Sequence, residues 1–411
     1  MAKLLYLVHR MPYPPNKGDK VRSYHLLRHL VRQGHEVHLG TFVDDPDDAR
    51  HLPALQDLCA GLCAVPLNPR WAKLRSLAGL LSGRALTLHY YDSPRLRAWV
   101  RDTALREAID TVVVFSSAMA PYADLLPGRP RLLDLVDVDS AKWTEYAPQH
   151  AWPMSWIYRR EGARLLAFER AAVQAASRSF LVTDKEVALF ERLAPDCAGR
   201  VLAVGNGVDA DSFSPQPGRP SPFQADELPL VFTGAMDYWP NVDAVTWFVR
   251  EMLPALSASW PRLRFHIVGR APAPAVRALA GPGVCVTGTV PDVQPYLQHA
   301  AAVIAPLRLA RGVQNKVLEA MAMARPVVCA ASCAEAIDAR SGEHLLAANV
   351  AGDYVQQVNS LLSSPGRDRI LGESARRFVL DHYSWAARLA PLDRYLGSAQ
   401  SPGFGPEAMG T

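Results

Sequence analysis

Residues 301–330 read AAVIAPLRLARGVQNKVLEAMAMARPVVCA. It opens with a short apolar run, AAVIAP, and closes with another, PVVCA. Between them lie the loop LRLARGVQN and an apolar stretch that begins near Asn315 and carries Lys316 and Glu319 at its head. The order strand, loop, helix, strand predicts a β-α-β unit whose strands are parallel and buried.

The same order recurs along the rest of the chain. At the N-terminus, the run KLLYLV precedes the loop MPYPPNKGDKVRS, a helical pattern that ends at Gly34, and the strand EVHLGTF. A long helical pattern covers 155–176. Further strands are predicted at DTVVVFSS (110–117), RLLDLVDV (131–138), SRSFLVT (177–183), RVLAVGNGVD (200–209), LVFTG (230–234), RFHIVG (264–269) and VCVTG (284–288). This repeated alternation predicts an α/β protein with doubly wound sheets.

A proline-rich segment divides the chain into two such sheets. Residues 212–229 hold five prolines and few apolar side chains, which is typical of an exposed, flexible linker. We therefore expect an N-terminal Rossmann-like domain over 1–211 and a C-terminal one over 230–366, facing each other across a cleft. A final helical segment, 367–396, can pack back on the N-terminal domain, and the tail 397–411 is expected to be disordered.

Length and composition limit the classes of function. A chain of 411 residues suggests two or three domains, and its net charge of +4 is too small to indicate a nucleic-acid partner. The six cysteines include two C-x3-C pairs, a spacing that fits neither zinc nor redox motifs, so they are expected to be buried thiols. Neither a signal-peptide core nor a membrane span is expected. The sequence predicts a cytoplasmic, reduced protein with no metal and no cofactor.

The loop before Asn315 has the features of a phosphate site. The start of a helix offers backbone N–H groups and the positive end of the helix dipole. Gly312 permits close approach of a ligand, and Lys316 adds a full charge suited to a diphosphate. Glu319, one turn further on, can accept hydrogen bonds from two ribose hydroxyls. The alternative is structural, because a glutamate in a first helical turn also stabilises the dipole or closes a capping box.

Three motifs carry a family resemblance. They are VLEAMAMARPVV (317–328), VLAVGNGVDADSFSP (201–215) and TGTVPDV (287–293). In this order they resemble the retaining GT-B glycosyltransferases of the family 4 type, and the resemblance extends from the first β-α-β unit to the last helix. More narrowly, PYPPNKGDKVRSYHLL, DLVDVDSAKW and TGAMDYWPNVDAVTWF are similar to the sugar transferases of PEP-CTERM/exosortase exopolysaccharide systems.

This resemblance implies sugar transfer from a nucleotide-diphosphate sugar to a saccharide or polyprenyl-linked acceptor. It also implies retention of configuration by front-face attack, in which the leaving phosphate accepts the acceptor's proton. Its catalytic candidates are Asp137, Asp139 and Lys316. The donor site that it implies comprises Gly18, Gly234, Gly269, Val290, Arg311, Gly312, Val313, Gln314, Asn315, Lys316 and Glu319.

The sequence departs from the family pattern at three points. The family's first glutamate of E-x7-E is Arg311 here, so the donor sugar cannot be inferred. The stretch GAMDYWPN lacks the usual basic pair, which leaves Lys316, with Arg311 or Arg308, to neutralise the diphosphate. Where the family often carries a histidine, this chain has Ser116 and Ser117.

The two aspartates of LVDVDSAKW allow more than one role. Asp137 and Asp139 lie two apart, so on an extended segment they would face the same side and could chelate a metal. That arrangement belongs to a single-domain architecture, and we expect the pair to orient the acceptor hydroxyl or the donor sugar instead. If the enzyme inverts configuration, a general base is needed, and Asp137, Asp139 and His9 are candidates.

Residues 69–84, PRWAKLRSLAGLLSGR, place apolar side chains on one helical face beside basic ones. This pattern is typical of an interfacial helix attracted to an anionic membrane, and SWIYRREGAR (155–164) is a second candidate. The apolar positions are Trp71, Leu74, Leu77, Ala78 and Leu81. The alternative is a helix that packs into the core with a basic rim. A membrane surface would suit a lipid-linked acceptor and a peripheral location on the inner face of the cytoplasmic membrane.

Two other functions are compatible with these motifs. An epimerase or hydrolase of the same fold would consume a nucleotide sugar without an acceptor. A non-catalytic nucleotide-sugar sensor is conceivable because Arg311 replaces a glutamate.

Overall fold

The chain forms two compact units in the computed structural model, which describes residues 1–15, 18–309 and 313–396. Unit 1 comprises Met1–Asn206 together with the residues from Arg388 onward, and unit 2 comprises Gly207–Ala387. Each unit is built around one parallel β-sheet.

The sheet of unit 1 has seven strands in the order β3-β2-β1-β4-β5-β6-β7, and all of its pairings are parallel. The strands are β1 (Lys3–Val8), β2 (Glu36–Val43), β3 (Gly61–Pro66), β4 (Thr111–Phe115), β5 (Arg131–Val136), β6 (Arg178–Leu181) and β7 (Val201–Ala203). The order reverses between β1 and β4, and such a switch point opens a crevice at the carboxyl ends of the strands.

The helices of unit 1 connect these strands. They are α1 (Gly18–Arg32), α2 (Leu52–Gln56), α3 (Pro69–Ser76), α4 (Ala78–Ser82), α5 (Leu86–Tyr90), α6 (Pro94–Glu107), α7 (Ala120–Ala123), α8 (Asp139–Tyr146), α9 (Met154–Ala175) and α10 (Asp184–Leu193). Short 3-10 turns cover Pro46–His51, Ser117–Met119, Ala147–Gln149 and Pro195–Cys197. Local signals set their ends: α6 begins after Ser93, whose hydroxyl accepts from the Leu96 N–H, with Pro94 in the first turn.

The sheet of unit 2 has six parallel strands in the order β10-β9-β8-β11-β12-β13. They are β8 (Leu228–Thr233), β9 (Leu263–Val268), β10 (Val284–Gly288), β11 (Ala302–Ala305), β12 (Val327–Ala330) and β13 (Leu346–Ala348). This is the Rossmann order, with a switch point between β8 and β11.

The helices after β8 complete unit 2 and the C-terminal segment. They are α11 (Trp239–Trp247), α12 (Leu253–Ser259), α13 (Pro274–Arg277), α14 (Gln294–His299), α15 (Asn315–Ala322), α16 (Ala331–Glu335), α17 (Ala351–Leu362), α18 (Arg367–His382) and α19 (Trp385–Leu396). A π-helical turn, Phe248–Met252, joins α11 to α12. From Arg388 onward α19 belongs to unit 1, where Asp393 contacts His29 at 2.8 Å.

The core of each unit consists of the strands and the inner helix faces. All the residues of β4 are buried, as are all but the first of β1, which explains their continuous apolar sequences. In unit 2, α15 buries five of its eight residues, including Val317, Leu318 and Met321. The apolar stretch that begins near Asn315 is therefore a core helix whose first turn faces the carboxyl edge of the sheet.

Two expected features differ in detail. The segment 212–229 was expected to be a flexible linker, but it packs against α14. Arg219 donates to Gln294 at 2.7 Å and to Gln298 at 2.8 Å, and Phe223 packs edge-on against Tyr296. The predicted strand 200–209 is ordered as a strand only over Val201–Ala203. The edge strands β3 and β13 were not predicted.

Candidate functional site

A cavity of about 620 Å³ opens in unit 2 at the carboxyl ends of β8, β9 and β10 and the start of α15. This is the β8/β11 switch point, the position where open α/β sheets bind ligands. The lining residues come from four loops and the first turns of α11 and α15: Thr233, Gly234, Ala235, Tyr238, Asn241, Val268, Gly269, Arg270, Thr289, Val290, Val293, Val313, Gln314, Asn315, Lys316 and Glu319.

Lys316 is held in place at the base of this cavity. Its Nζ donates to Asn241 Oδ1 at 2.5 Å and lies 4.1 Å from the centre of the Phe232 ring. Burial lowers the pKa of Lys316 to about 8, although the negative charge of Glu319 opposes this shift. The cavity therefore holds a cation whose own solvation is poor, and an anionic ligand would improve its environment.

Glu319 lines the same cavity. It is the fifth residue of α15, and the Gln314 side chain at the N-cap makes no capping bond, so the capping-box alternative is not observed. Burial raises the pKa of Glu319 to about 7, partly offset by the charge of Lys316. A carboxylate in this position is a hydrogen-bond acceptor that water solvates poorly, which suits it to polar ligand groups.

Two glycines make room for the cavity. A Cβ atom at Gly234 would lie 3.0 Å from Lys316 Nζ and 2.8 Å from Asn241 Nδ2. A Cβ at Gly269 would overlap the carbonyl oxygen of Gly234. These positions require glycine because the ends of β8 and β9 approach each other and Lys316 too closely for a side chain.

Eight of the predicted donor residues line this single cavity. They are Gly234, Gly269, Val290, Val313, Gln314, Asn315, Lys316 and Glu319. Arg311 and Gly312 lie outside the described residues. Gly18 begins α1 in unit 1. The structure of unit 2 places the eight lining residues around one cavity. That they form a donor site stays a prediction.

Sequence reasoning missed several residues of the cavity. Asn241 links the loop after β8 to the first turn of α15, because its Nδ2 donates to Ala235 O at 2.8 Å while its Oδ1 accepts from Lys316 Nζ. Arg270 supplies a second cation to the cavity lining. Arg308, considered above for the diphosphate, instead forms a two-point salt bridge with Asp243 and does not line the cavity.

In unit 1, the predicted aspartates lie in the turn between β5 and α8. Both carboxylates contact Lys142, Asp137 at 2.8 Å and Asp139 at 3.2 Å. Asp139 is the first residue of α8, so the extended geometry assumed for the D-x-D pair is wrong. The pair still faces one side, because a single ammonium group bridges both carboxylates.

This turn is strained and braced. Val136 has φ of 69°, a conformation that is rare for a β-branched residue. Glu186 accepts from the Val138 N–H at 2.8 Å, and Glu169 accepts from the Ser140 hydroxyl at 2.5 Å. Burial raises the pKa of Glu169 to about 8, and the nearby Asp139 charge acts in the same direction. Backbone strain held by such bracing is common at functional sites.

The neighbouring strand ends of unit 1 carry further candidates. His9 stacks on Phe115 with nearly parallel rings, and its Nε2 lies 3.6 Å from an Asp19 carboxylate oxygen. Ser116, which follows β4, has φ of 74°. Imidazole, hydroxyl and strained backbone thus meet at the carboxyl edge of this sheet, where ligands of α/β folds bind.

The first turn of α1 contains a buried charge. Lys20 is buried and paired with Asp48, which lies in the 3-10 turn after β2. Arg22, on the same helix, is equally buried and donates to Asp134 at 2.8 Å. Both cations are therefore buried and paired with carboxylates inside unit 1.

Among the described residues, one group has the spacing of metal ligands. It consists of Glu36, His38 and Glu107, at the amino ends of the strands. Lys3 contacts Glu107 at 3.1 Å and Glu36 at 3.5 Å. An ammonium group therefore already balances the two carboxylates.

The predicted amphipathic segment 69–84 is exposed on its apolar side. It forms two short helices, α3 and α4, rather than one, because the chain turns at Leu77 and ends at Gly83 in the left-handed conformation. Leu81 is 94% exposed and Trp71 70% exposed, so the core-packing alternative is wrong for this face. We name this surface the apolar patch: Trp71, Leu74, Leu77, Ala78 and Leu81.

The second candidate segment lies beside the apolar patch. Arg160 of α9 donates to the carbonyl oxygens of Gly79 and Arg84, which joins α9 to α4. At the start of α9, Trp152 and Trp156 are also exposed. No helix within the described parts of the chain has both the length and the apolar character to cross a membrane.

The fold and the cavity define a class of protein. Unit 1 and unit 2 are two Rossmann-like domains, and solved structures with this pair of domains cover nearly the whole chain. Sucrose-phosphate synthase of Thermosynechococcus elongatus is 17% identical, with a TM-score of 0.59, covering 96% of this chain and 98% of that one. HepE of Anabaena, solved with UDP-glucose, is 15% identical, with a TM-score of 0.56 and coverage of 97% and 100%. WaaG, a glycosyltransferase involved in lipopolysaccharide biosynthesis, is 16% identical, with a TM-score of 0.53, covering 96% of this chain and 100% of that one. The predicted GT-B fold is confirmed.

The sequence of unit 2 resembles a known family. Residues 227–364 match the family described as glycosyl transferases group 1. This match agrees with the predicted class of enzyme, a glycosyltransferase. D-inositol 3-phosphate glycosyltransferase 2 of Catenulispora acidiphila is 29% identical over 250 residues, which are 56% of this chain. The match spans 57% of the length of that curated relative.

Proposed function

We propose that this protein transfers a sugar from a nucleoside-diphosphate donor to a growing, lipid-linked polysaccharide acceptor. The observation that carries the proposal is the cavity of unit 2, where Lys316 and Glu319 stand one helical turn apart beside two glycines. A diphosphate fits the cation and the start of α15, while the ribose hydroxyls fit the carboxylate. HepE, a structural neighbour, was solved with UDP and with UDP-glucose, which supports a donor of this class.

The charge of the cavity also accounts for catalysis. When the bond between sugar and phosphate breaks, negative charge grows on the leaving diphosphate. Lys316 and the N–H groups of α15 are in place before the reaction, so they stabilise this charge more in the transition state than in the bound donor. Such a mechanism needs no enzyme nucleophile, and with front-face attack it retains the configuration of the sugar.

We place the acceptor with unit 1. The strained and braced turn that holds Asp137 and Asp139 can orient an acceptor hydroxyl, and His9 lies at the same edge of the sheet. The two carboxylates are already balanced by Lys142, which favours a role in hydrogen bonding over one in metal binding. Donor chemistry and acceptor positioning would thus reside in different units.

We further propose that the acceptor is carried on a membrane. The apolar patch exposes large side chains next to the basic residues Arg70 and Lys73, which combines apolar insertion with attraction to anionic lipid. The motifs shared with exopolysaccharide sugar transferases point to a polyprenyl-linked saccharide. The protein would then work in the cytoplasm, peripherally on the inner face of the cytoplasmic membrane.

The proposed donor class predicts selective stabilisation by nucleotides. A ligand that binds the native state at 100 times its dissociation constant stabilises it by about 2.7 kcal/mol. The thermal-shift panel comprises uridine, guanosine and adenosine diphosphates and the corresponding nucleotide sugars. We expect a clear rise in the melting temperature of the protein with the compounds of one nucleobase. A flat panel would remove the basis of the proposal. Donor turnover that occurs without any lipid-linked saccharide would instead favour a hydrolase or an epimerase.

The apolar patch predicts binding to anionic vesicles. We expect the protein to sediment with vesicles of phosphatidylcholine and phosphatidylglycerol, and much less with phosphatidylcholine alone. The double variant Trp71→Asp/Leu81→Asp should lose at least tenfold in partitioning, because each buried apolar side chain contributes about 1.5–3 kcal/mol. Leu105→Asp is the matched control, since Leu105 is 85% exposed on α6. Equal sedimentation of the double variant and the control would contradict membrane docking.

A further inference from the structure

Tyr238 is an exposed aromatic residue at the mouth of the cavity in unit 2. It lies in the loop between β8 and α11, lines the cavity, and is 61% exposed. The next residue, Trp239, is similarly exposed at 64% but does not line the cavity. Tyr238 therefore presents an aromatic side chain at the entrance of a site whose base is charged.

The turn that carries Tyr238 is fixed by hydrogen bonds. The Tyr238 N–H donates to Ala235 O at 3.3 Å, and its carbonyl oxygen accepts from the N–H groups of Asn241 at 2.9 Å and Val242 at 3.2 Å. The Asn241 side chain, which also holds Lys316, donates to the same Ala235 oxygen. The backbone of Tyr238 is thus positioned relative to the cation, so only its side-chain torsions need ordering when a ligand arrives.

The cavity has a polar base and a mixed rim. Lys316, Glu319 and Asn241 form the base, and Tyr238 and the 44%-exposed Val313 stand at the rim with the exposed Arg270, Thr289 and Asn315. A ligand that matches this arrangement has an anionic centre and a ring with C–H groups on its face. A sugar attached to a diphosphate has this character, because the faces of a pyranose ring are apolar while its edge carries the hydroxyls.

Tyr238 lies at the β8 end of the cavity. Tyr238 follows β8, whose Gly234 adjoins Lys316, while Thr289 and Val290 follow β10 at the other end of the cavity. Two strand spacings, about 10 Å, separate β8 from β10. A diphosphate at Lys316 links two groups, a nucleoside and a sugar, so one of them extends toward the β10 end of the cavity and the other toward Tyr238.

We propose that Tyr238 stacks on the transferred sugar ring of the donor and contributes to donor specificity. This inference rests on the proposed function, since it assumes that the cavity binds a nucleotide sugar. Tyr238 is here a specificity residue rather than a catalytic acid or base.

The test compares a nucleotide with and without its sugar. Isothermal titration with UDP and UDP-glucose, and with GDP and GDP-mannose, gives the ratio of the two affinities for each variant. We expect Tyr238→Ala to weaken the sugar nucleotide about three- to tenfold relative to the nucleoside diphosphate, the range of an aromatic contact. Tyr238→Phe should keep the wild-type ratio, because the ring face is retained. Trp239→Ala is the matched control and should also leave the ratio unchanged.

Each other outcome contradicts the inference in an identifiable way. An unchanged ratio in Tyr238→Ala would show that the sugar does not touch the ring. Equal losses for both ligands would place Tyr238 on the nucleotide instead. A loss in Tyr238→Phe as large as in Tyr238→Ala would assign the contact to the hydroxyl, and a loss in Trp239→Ala would indicate collapse of the rim. If wild-type protein binds neither nucleoside diphosphate, the proposed function fails first.

Discussion

Replacing Lys316 by methionine should reduce nucleoside-diphosphate affinity by about 100-fold or more. Methionine keeps most of the side-chain volume but removes the charge, and truncating one partner of a buried charge pair costs about 2–5 kcal/mol. The turnover rate should fall further, since charge on the leaving diphosphate is greatest in the transition state, and removing one such donor costs about 10²–10³ in rate. Titration calorimetry and initial rates measure the two effects separately.

The pH dependence of binding gives a second test of Lys316. Because burial lowers its pKa to about 8, the unliganded protein begins to lose this charge just above neutral pH. The diphosphate binds the protonated form, so affinity should fall above pH 8 by up to about tenfold per pH unit, and Lys316→Met should abolish this decline. Arg308→Met is the control, because Arg308 follows the same strand yet does not line the cavity. If Lys316→Met bound within threefold of wild type, the diphosphate would have to lie elsewhere.

The sequence predicted the elements that carry the site because local patterns define them. The apolar run after Asn315 identifies α15, and the apolar run AAVIAP identifies β11. Because the start of a helix that follows a parallel strand lies at the carboxyl edge of the sheet, Lys316 and Glu319 are expected there. Gly234 and Gly269 were predicted for the same reason, because each directly follows the last residue of a strand, β8 or β9. What the sequence could not give was Asn241, whose contact with Lys316 joins positions 75 residues apart.

Elements and charges that depend on distant partners were the ones missed. The edge strands β3 and β13 are short and β3 is only half buried, so neither gives a continuous apolar run. Lys20 is charged yet buried, because Asp48, 28 residues away, neutralises it. Periodicity predicts which face of a helix is apolar. It does not predict what covers that face, which is why 69–84 fitted both a core helix and an exposed one.

Glu319 should show opposite effects on binding and on stability when it is neutralised. If its carboxylate accepts hydrogen bonds from the ribose hydroxyls, Glu319→Ala loses charge-assisted contacts worth roughly 1.5–3 kcal/mol. Nucleotide affinity should then fall about ten- to hundredfold. Glu319→Gln should lose less, because an amide still offers one acceptor. An unchanged affinity in Glu319→Ala would remove Glu319 from the site, whatever else binds there.

The stability effect follows from the raised pKa of Glu319. Folding raises this pKa from 4.5 to about 7, so the native state binds the proton more tightly than the unfolded chain. Stability therefore falls as pH rises from 4.5 to 7, and the full penalty, on the order of 3 kcal/mol, is present above pH 7. Without nucleotide, Glu319→Gln should melt at a higher temperature than wild type at pH 8, and the difference should shrink toward pH 5. If Glu319→Gln is less stable than wild type at pH 8, the ionised carboxylate stabilises the native state. A variant that is more stable but binds nucleotide poorly would mean that the buried charge is kept for the ligand.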